Sequence, residues 1–145
     1  MTPQRVSLIT LGVADLDRAR AFYAALGWDP VPGPPEVVFY QLDGQVIGLF
    51  GLKPLAQDQG RPDTSLGFGA MTLAQNFADR DAVDAAFAKA IAAGATALKA
   101  PKEVFWGGYS GYYSDPDGHV WEVAHNPFWQ ISETGRITIP TQDAP

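Results

Sequence analysis

The hydrophobic positions of this chain follow a pattern that occurs twice. Leu16, Ala19, Phe22, Tyr23 and Leu26 form one apolar stripe, and Val83, Ala86, Phe87, Ala90 and Ile91 form another at i, i+3, i+4, i+7, i+8 spacing. Each stripe predicts an amphipathic helix. Asp15 and Asp79 stand where an N-cap accepts from orphan backbone N–H groups, and Asp17 and Asp81 fall in the first turn, where the helix dipole favours negative charge. Gly27 and Gly94 are placed to stop the two helices. Between these helical stretches the pattern shortens to strand-like runs: 28–31, 37–42 and 45–50 in the first half, then 96–100, 108–114 and 119–124 in the second. Asp43-Gly44 and Asp115-Pro116-Asp117-Gly118 supply the turn chemistry between neighbouring runs.

The two halves are an internal repeat. When the segment from Leu8 to Asp17 is set against that from Thr72 to Asp81, Ala14, Asp15 and Asp17 match Ala78, Asp79 and Asp81. At the same offset Ala21 matches Ala85, Ala24 matches Ala88, and Tyr23 is replaced by Phe87. A constant offset through a strand–helix junction predicts two copies of one βαβββ module, an α+β fold. The stretch 51–63, rich in Gly, Pro, Asp and Gln, reads as the linker, and 67–71 as a glycine-containing strand. Beyond Asn126 an extended piece is expected at 136–139.

Composition narrows the function classes. With 145 residues, 46% of them hydrophobic and 18% charged, the chain is long enough for a real core and has the balance of a globular protein. The absence of cysteine excludes disulfides, thiolate metal sites and a cysteine nucleophile. A formal charge of −6 argues against nucleic acid, because phosphate binding needs a basic face, and permits attraction of cationic small molecules. No apolar run reaches the ~20 residues of a membrane span. The opening MTPQRVSLIT lacks the character of a signal peptide, so a cytoplasmic protein with no membrane partner is expected. No phosphate-binding glycine loop and no G-x-S-x-G elbow is present.

The segment GYYSDPDGHVWEVAHN, 111–126, carries the chemistry. It reads as strand, turn, strand, with the single carboxylate Glu122 among apolar neighbours of the last strand. Together with the repeat, it resembles the vicinal oxygen chelate superfamily, which includes glyoxalase I, extradiol dioxygenases and bleomycin-resistance proteins. The resemblance implies one glyoxalase-like domain over 1–127, with modules at about 5–50 and 65–126, and a C-terminal tail at 128–145. It further implies strands curling around a shared cleft with helices outside, and a homodimer. In metal-dependent relatives the ligand positions correspond here to Leu8, Gly48, Thr72 and Glu122. Leu8 and Gly48 have no donor and Thr72 is a poor one, whereas a catalytic zinc site takes three protein ligands. No metal and no other cofactor is therefore expected.

A cleft without metal still needs a lining. Phe105, Trp106, Tyr109 and Tyr112 alternate with glycines, which let a ligand approach the backbone while the rings stack on a planar guest or a cation. The alternative is that the rings pack the core and the glycines only shape a loop. Gln75 and Asn76 either orient a ligand or cap the strand-to-helix turn. Glu122 either anchors a cation, acts as general base, or is satisfied by a backbone or tyrosine donor. His119 reads as a surface residue, and His125, three residues after Glu122, falls on the other face of a regular strand. The expected function is metal-free binding of a small aromatic or cationic molecule. The alternative is an enzyme of the same family, a lyase, isomerase or dioxygenase, using unorthodox metal ligands or Glu122 as base.

Overall fold

The computed structural model describes residues 3–140. The chain divides into two compact units, one ending at Gly69 and the other beginning at Ala70.

In the first unit β1 (Leu8–Val13) leads into α1 (Leu16–Ala25), followed by β2 (Val37–Gln41), β3 (Val46–Gly51) and α2 (Leu52–Asp58). The sheet order is β1-β3-β2, with β1 parallel and β2 antiparallel to β3. Strand alternation sends Leu11, Val13, Val38, Tyr40, Ile47 and Leu49 to one face, where all are buried. Helix α1 covers that face with Ala19, Phe22 and Tyr23. The Tyr23 ring lies 5.4 Å from Trp28 and 5.9 Å from Tyr40. The expected capping is present: Asp15 accepts from the Arg18 N–H at 3.1 Å, and Gly27 turns the chain at φ +96°. Asp43-Gly44 closes the β2–β3 hairpin, with Gly44 at φ +82° and the Leu42 N–H donating to the Gln45 carbonyl at 2.8 Å.

Two expectations for this half need correction. The run 28–31 is not a strand; only Val31 pairs, in a single bridge to Phe39. Pro30 removes a ladder donor, and the Trp28 ring is used in packing instead. The linker 51–63 contains α2. Pro54 sits in its first turn, where no intrahelical N–H is required. Leu52 and Leu55 lie where a Cβ on Gly12 would point, at 2.8 and 3.2 Å. The linker's apolar residues thus dock on β1, which its Gly and Pro content concealed.

The second unit runs β4 (Leu73–Asn76), α3 (Arg80–Ala92), β5 (Thr96–Glu103), β6 (Tyr109–Ser114) and β7 (Val120–His125), in the order β4-β7-β6-β5. This is the expected βαβββ order, with β4 parallel to β7. Asp79 accepts from the Ala82 N–H at 2.8 Å, repeating the Asp15 cap. Trp121, Val123 and Tyr113 lie buried on the face that α3 covers with Val83 and Ala90. Asp115 Oδ1 accepts from both Asp117 N–H and His119 N–H at 2.9 Å, while Gly118 adopts φ +95°. The D-P-D-G turn is therefore fixed by its first side chain as well as by its glycine.

Strand β5 is longer than the expected 96–100, because Pro101 is tolerated on an edge strand beside register shifts. Gly111 permits this: a Cβ there would stand 2.8 Å from the Pro101 nitrogen and 2.9 Å from the Lys99 carbonyl oxygen. Residues 67–71 form no strand. The expected extended piece at 136–139 is β9 (Ile137–Thr138), which pairs with β8 (Gln130–Ile131). No helix among the described residues is long and apolar enough to cross a membrane.

Candidate functional site

Each unit presents a sheet face opposite its long helix, and three of the ligand positions implied by the resemblance, Leu8, Gly48 and Glu122, fall on these faces. In the first unit the register places Leu8, Val46, Gly48, Phe39 and Gln41 on the face opposite α1. Gly48 is buried, and a Cβ on it would meet the Phe39 ring at 3.1 and 3.2 Å and Leu8 Cδ1 at 3.6 Å. The ring thus lies over the glycine where relatives of the metal-dependent kind carry a ligand. Beside it Ser7, Leu8, Val31, Phe39, Gln41 and Val46 line a hollow of about 410 Å³. No charged side chain is among the described residues that line it. Sequence reasoning missed Val31, Phe39 and Gln41. Gly48 inside a strand was the available signal, since such glycines often mark the close approach of another group.

The second unit's corresponding face is polar. Glu122 pairs in register with Ala74 on one side and Tyr112 on the other, and Asn76 and Ser110 lie one step along. Tyr112 and Glu122 stand side by side on this face. Burial, then the nearby Glu122 charge and hydrogen bonding to it, raise the Tyr112 phenol above its ordinary value. Thr72 precedes β4 and is exposed.

The remaining sequence candidates separate from this pair. Gln75 lies in register with Val123, on the face toward α3 rather than beside Asn76. Tyr109 also points to α3: its hydroxyl donates to Asp84 Oδ1 at 2.7 Å, and the Arg80 guanidinium lies 5.0 Å from its ring centre. The hydrogen bond to Asp84 is the main reason its phenol is raised. Phe105 and Trp106 occupy the turn between β5 and β6, closed by the Gly107 N–H donating to the Val104 carbonyl at 2.9 Å. Phe105 is fully exposed, and the Trp106 ring lies against Gly108, where a Cβ would overlap it. The aromatic segment is thus divided among a turn, the α3 face and the Glu122 face. His125, as alternation requires, is off the Glu122 face, with Nδ1 3.0 Å from the Phe77 carbonyl oxygen. Among the described residues no group of three or more His, Asp or Glu side chains is arranged to hold a metal ion. Leu8 and Gly48 offer no donor, Thr72 is exposed before β4, and Glu122 is a single carboxylate.

Comparison with known proteins agrees with this architecture. The pattern of the Glyoxalase/Bleomycin resistance protein/Dioxygenase superfamily matches residues 5–123. A glyoxalase-related enzyme from Fulvimarina pelagi superposes with a TM-score of 0.88 at 37% identity, over 96% of this chain and 100% of that one. Lactoylglutathione lyase from Agrobacterium tumefaciens gives 0.68 at 26% identity, over 88% and 98%. An uncharacterized protein of Mycobacterium bovis is 32% identical over 64% of this chain. The matched region spans 62% of the length of that relative, and 55% of a similar one from Mycobacterium tuberculosis.

Proposed function

The chain belongs to the glyoxalase/bleomycin resistance protein/dioxygenase superfamily, and on that premise we propose that it is a metal-free member that binds a small molecule. The observation that carries this is the Phe39 ring over Gly48 beside Leu8, which puts apolar surface where a metal-dependent relative needs donors. A divalent ion held by one carboxylate competes poorly with water. The adjoining hollow of about 410 Å³ has the size and apolar walls of a small-molecule site. A screen of metabolites and aromatic antibiotics by thermal shift tests the reading. Ligands that raise the melting temperature of chelator-treated protein support it, and stabilisation only when a divalent metal is added counts against it.

A second reading rests on the Glu122–Tyr112 pair, a carboxylate beside a phenol on a sheet face. Glu122 there anchors a cationic ligand or serves as general base. Glu122→Gln distinguishes these roles. Binding weaker by about 1.5–3 kcal/mol with the fold intact marks an anchor. Lost turnover with binding spared marks a base.

Self-association belongs to the same proposal. Phe128 and Trp129 are 64% and 37% exposed, apolar surface of the kind a homodimer covers. Sedimentation at micromolar concentration is expected to give twice the chain mass, and a monomer there refutes the dimer.

A further inference from the structure

The hollow of the first unit has a chemistry narrower than its shape. Leu8, Val31, Phe39 and Val46 supply apolar walls, and Ser7 and Gln41 are the polar residues lining it. The Gln41 side-chain NH₂ is committed: it donates to the Leu42 carbonyl at 2.8 Å and to the Gln45 carbonyl at 3.3 Å. An amide has two donor hydrogens and one acceptor oxygen. With both hydrogens turned to the hairpin backbone, the group Gln41 retains for a guest is its carbonyl oxygen, which has no partner among the described residues. The hairpin that holds it is itself fixed, because the Gln45 side chain donates to the Val6 carbonyl at 3.0 Å and the Val46 N–H to the Ser7 carbonyl at 3.0 Å. The acceptor is thus held in place before a ligand arrives, which lowers the ordering cost of binding.

Charge on a guest is disfavoured by the same lining. An ion resting on a hollow whose described lining carries no charged side chain gains no counter-ion there. An acceptor-bearing guest finds the Gln41 oxygen opposed to its own lone pairs, and of the described lining side chains only the Ser7 hydroxyl can donate to it. A planar apolar body, by contrast, finds the Phe39 ring, and a hydroxyl or N–H on its edge finds the Gln41 oxygen.

We infer that this hollow takes an uncharged, planar aromatic molecule carrying a hydrogen-bond donor at its edge, of which a phenol is the simplest class, with Phe39 as the apolar platform and the Gln41 carbonyl oxygen as the acceptor. This rests on the metal-free binding reading and narrows it to one ligand class. Three probes of one shape separate the two: 2-naphthol, which donates, its methyl ether, which cannot, and 2-naphthoate, which is charged. Calorimetric titration of the full chain is expected to rank naphthol about tenfold tighter than the ether, with naphthoate weakest, tenfold being the typical worth of one hydrogen bond. Gln41→Met removes the acceptor at similar length and is expected to bring naphthol down to the ether. Val31→Trp, at a position 44% exposed and so tolerant of a larger side chain, is expected to fill the hollow and abolish binding of all three. Equal affinity of naphthol and ether, both lost in Val31→Trp, overturns the ligand class and leaves the metal-free site standing. Tightest binding of naphthoate does the same. Absence of binding by all three probes, or binding that Val31→Trp does not change, overturns the hollow as a site altogether.

Discussion

The two units start from the same device and finish with opposite surfaces. Each pairs a parallel strand with an aspartate-capped helix and stops that helix with a glycine in the left-handed conformation. On the face turned away from that helix, the first unit places Leu8, Phe39 and Val46 around Gly48, whereas the second places Glu122, Tyr112 and Asn76. The junction that makes the module fold is shared, and the face opposite the helix is not. Repetition therefore speaks for architecture, and chemistry has to be read separately in each copy.

The glycines sharpen that contrast, because each unit buries one that a side chain would disturb differently. At Gly111 the added carbon meets backbone, 2.8 Å from the Pro101 nitrogen, so the strand itself has to move. Gly111→Ala is expected to cost about 3 kcal/mol, the upper part of the usual range for overpacking, measured by urea unfolding. At Gly48 the added carbon meets the Phe39 ring, a side chain that can yield. Gly48→Ala is expected to cost less, about 1–2 kcal/mol, and Phe39→Leu in the same chain to recover part of it. Equal costs at the two sites would mean that the ring over Gly48 is as immovable as backbone.

Between these two in size lies a pH effect at Tyr113 of the second unit. Burial, followed by the Asp115 charge, pushes the Tyr113 phenol from 10.0 up to about 12. The folded state therefore holds this proton more tightly than the unfolded state. Its contribution to stability is complete below pH 10 and is lost as pH rises toward about 12. The loss amounts to about 2–3 kcal/mol at one decade per 1.36 kcal/mol. Tyr113→Phe is expected to flatten the alkaline limb of stability against pH, and an unchanged limb would refute the assignment. In the first unit burial also raises the Tyr40 phenol, with Arg20 opposing, so Tyr40→Phe is expected to flatten the limb in the same direction.

The smallest effect tests the polar face. Tyr112→Phe removes the hydroxyl beside Glu122 and is expected to cost about 1 kcal/mol, as loss of a polar contact at a partly exposed site does. A null result would detach Glu122 from Tyr112 and leave the carboxylate free for a ligand.

Much of the fold was legible in sequence because local signals agreed with each other. Asp15 and Asp79 cap, Gly27 and Gly94 terminate, and Gly44 and Gly118 turn, as the residue types require. Helix α2 escaped because Leu52 and Leu55 were hidden among Gly, Pro and Gln, and their value lies in contact with Gly12, far back in the chain. The aromatic segment misled for a related reason. Phe105 to Tyr112 reads as one lining, but the turn at Gly107 and alternation along β6 send Tyr109 to Asp84 and Tyr112 to Glu122, on opposite faces. Type and spacing show that rings are present, while pairing register decides where they point. The hollow was illegible because it depends on where the Phe39 ring rests.

The most direct test of the account is the metal content of protein purified without chelator, determined by elemental analysis. The donor-free Leu8 and Gly48, with the Phe39 ring against the glycine, lead us to expect well under one equivalent of nickel, zinc, iron or manganese per chain, and no rise in melting temperature when any of these is added. One equivalent of any of them, retained through purification, would contradict the account.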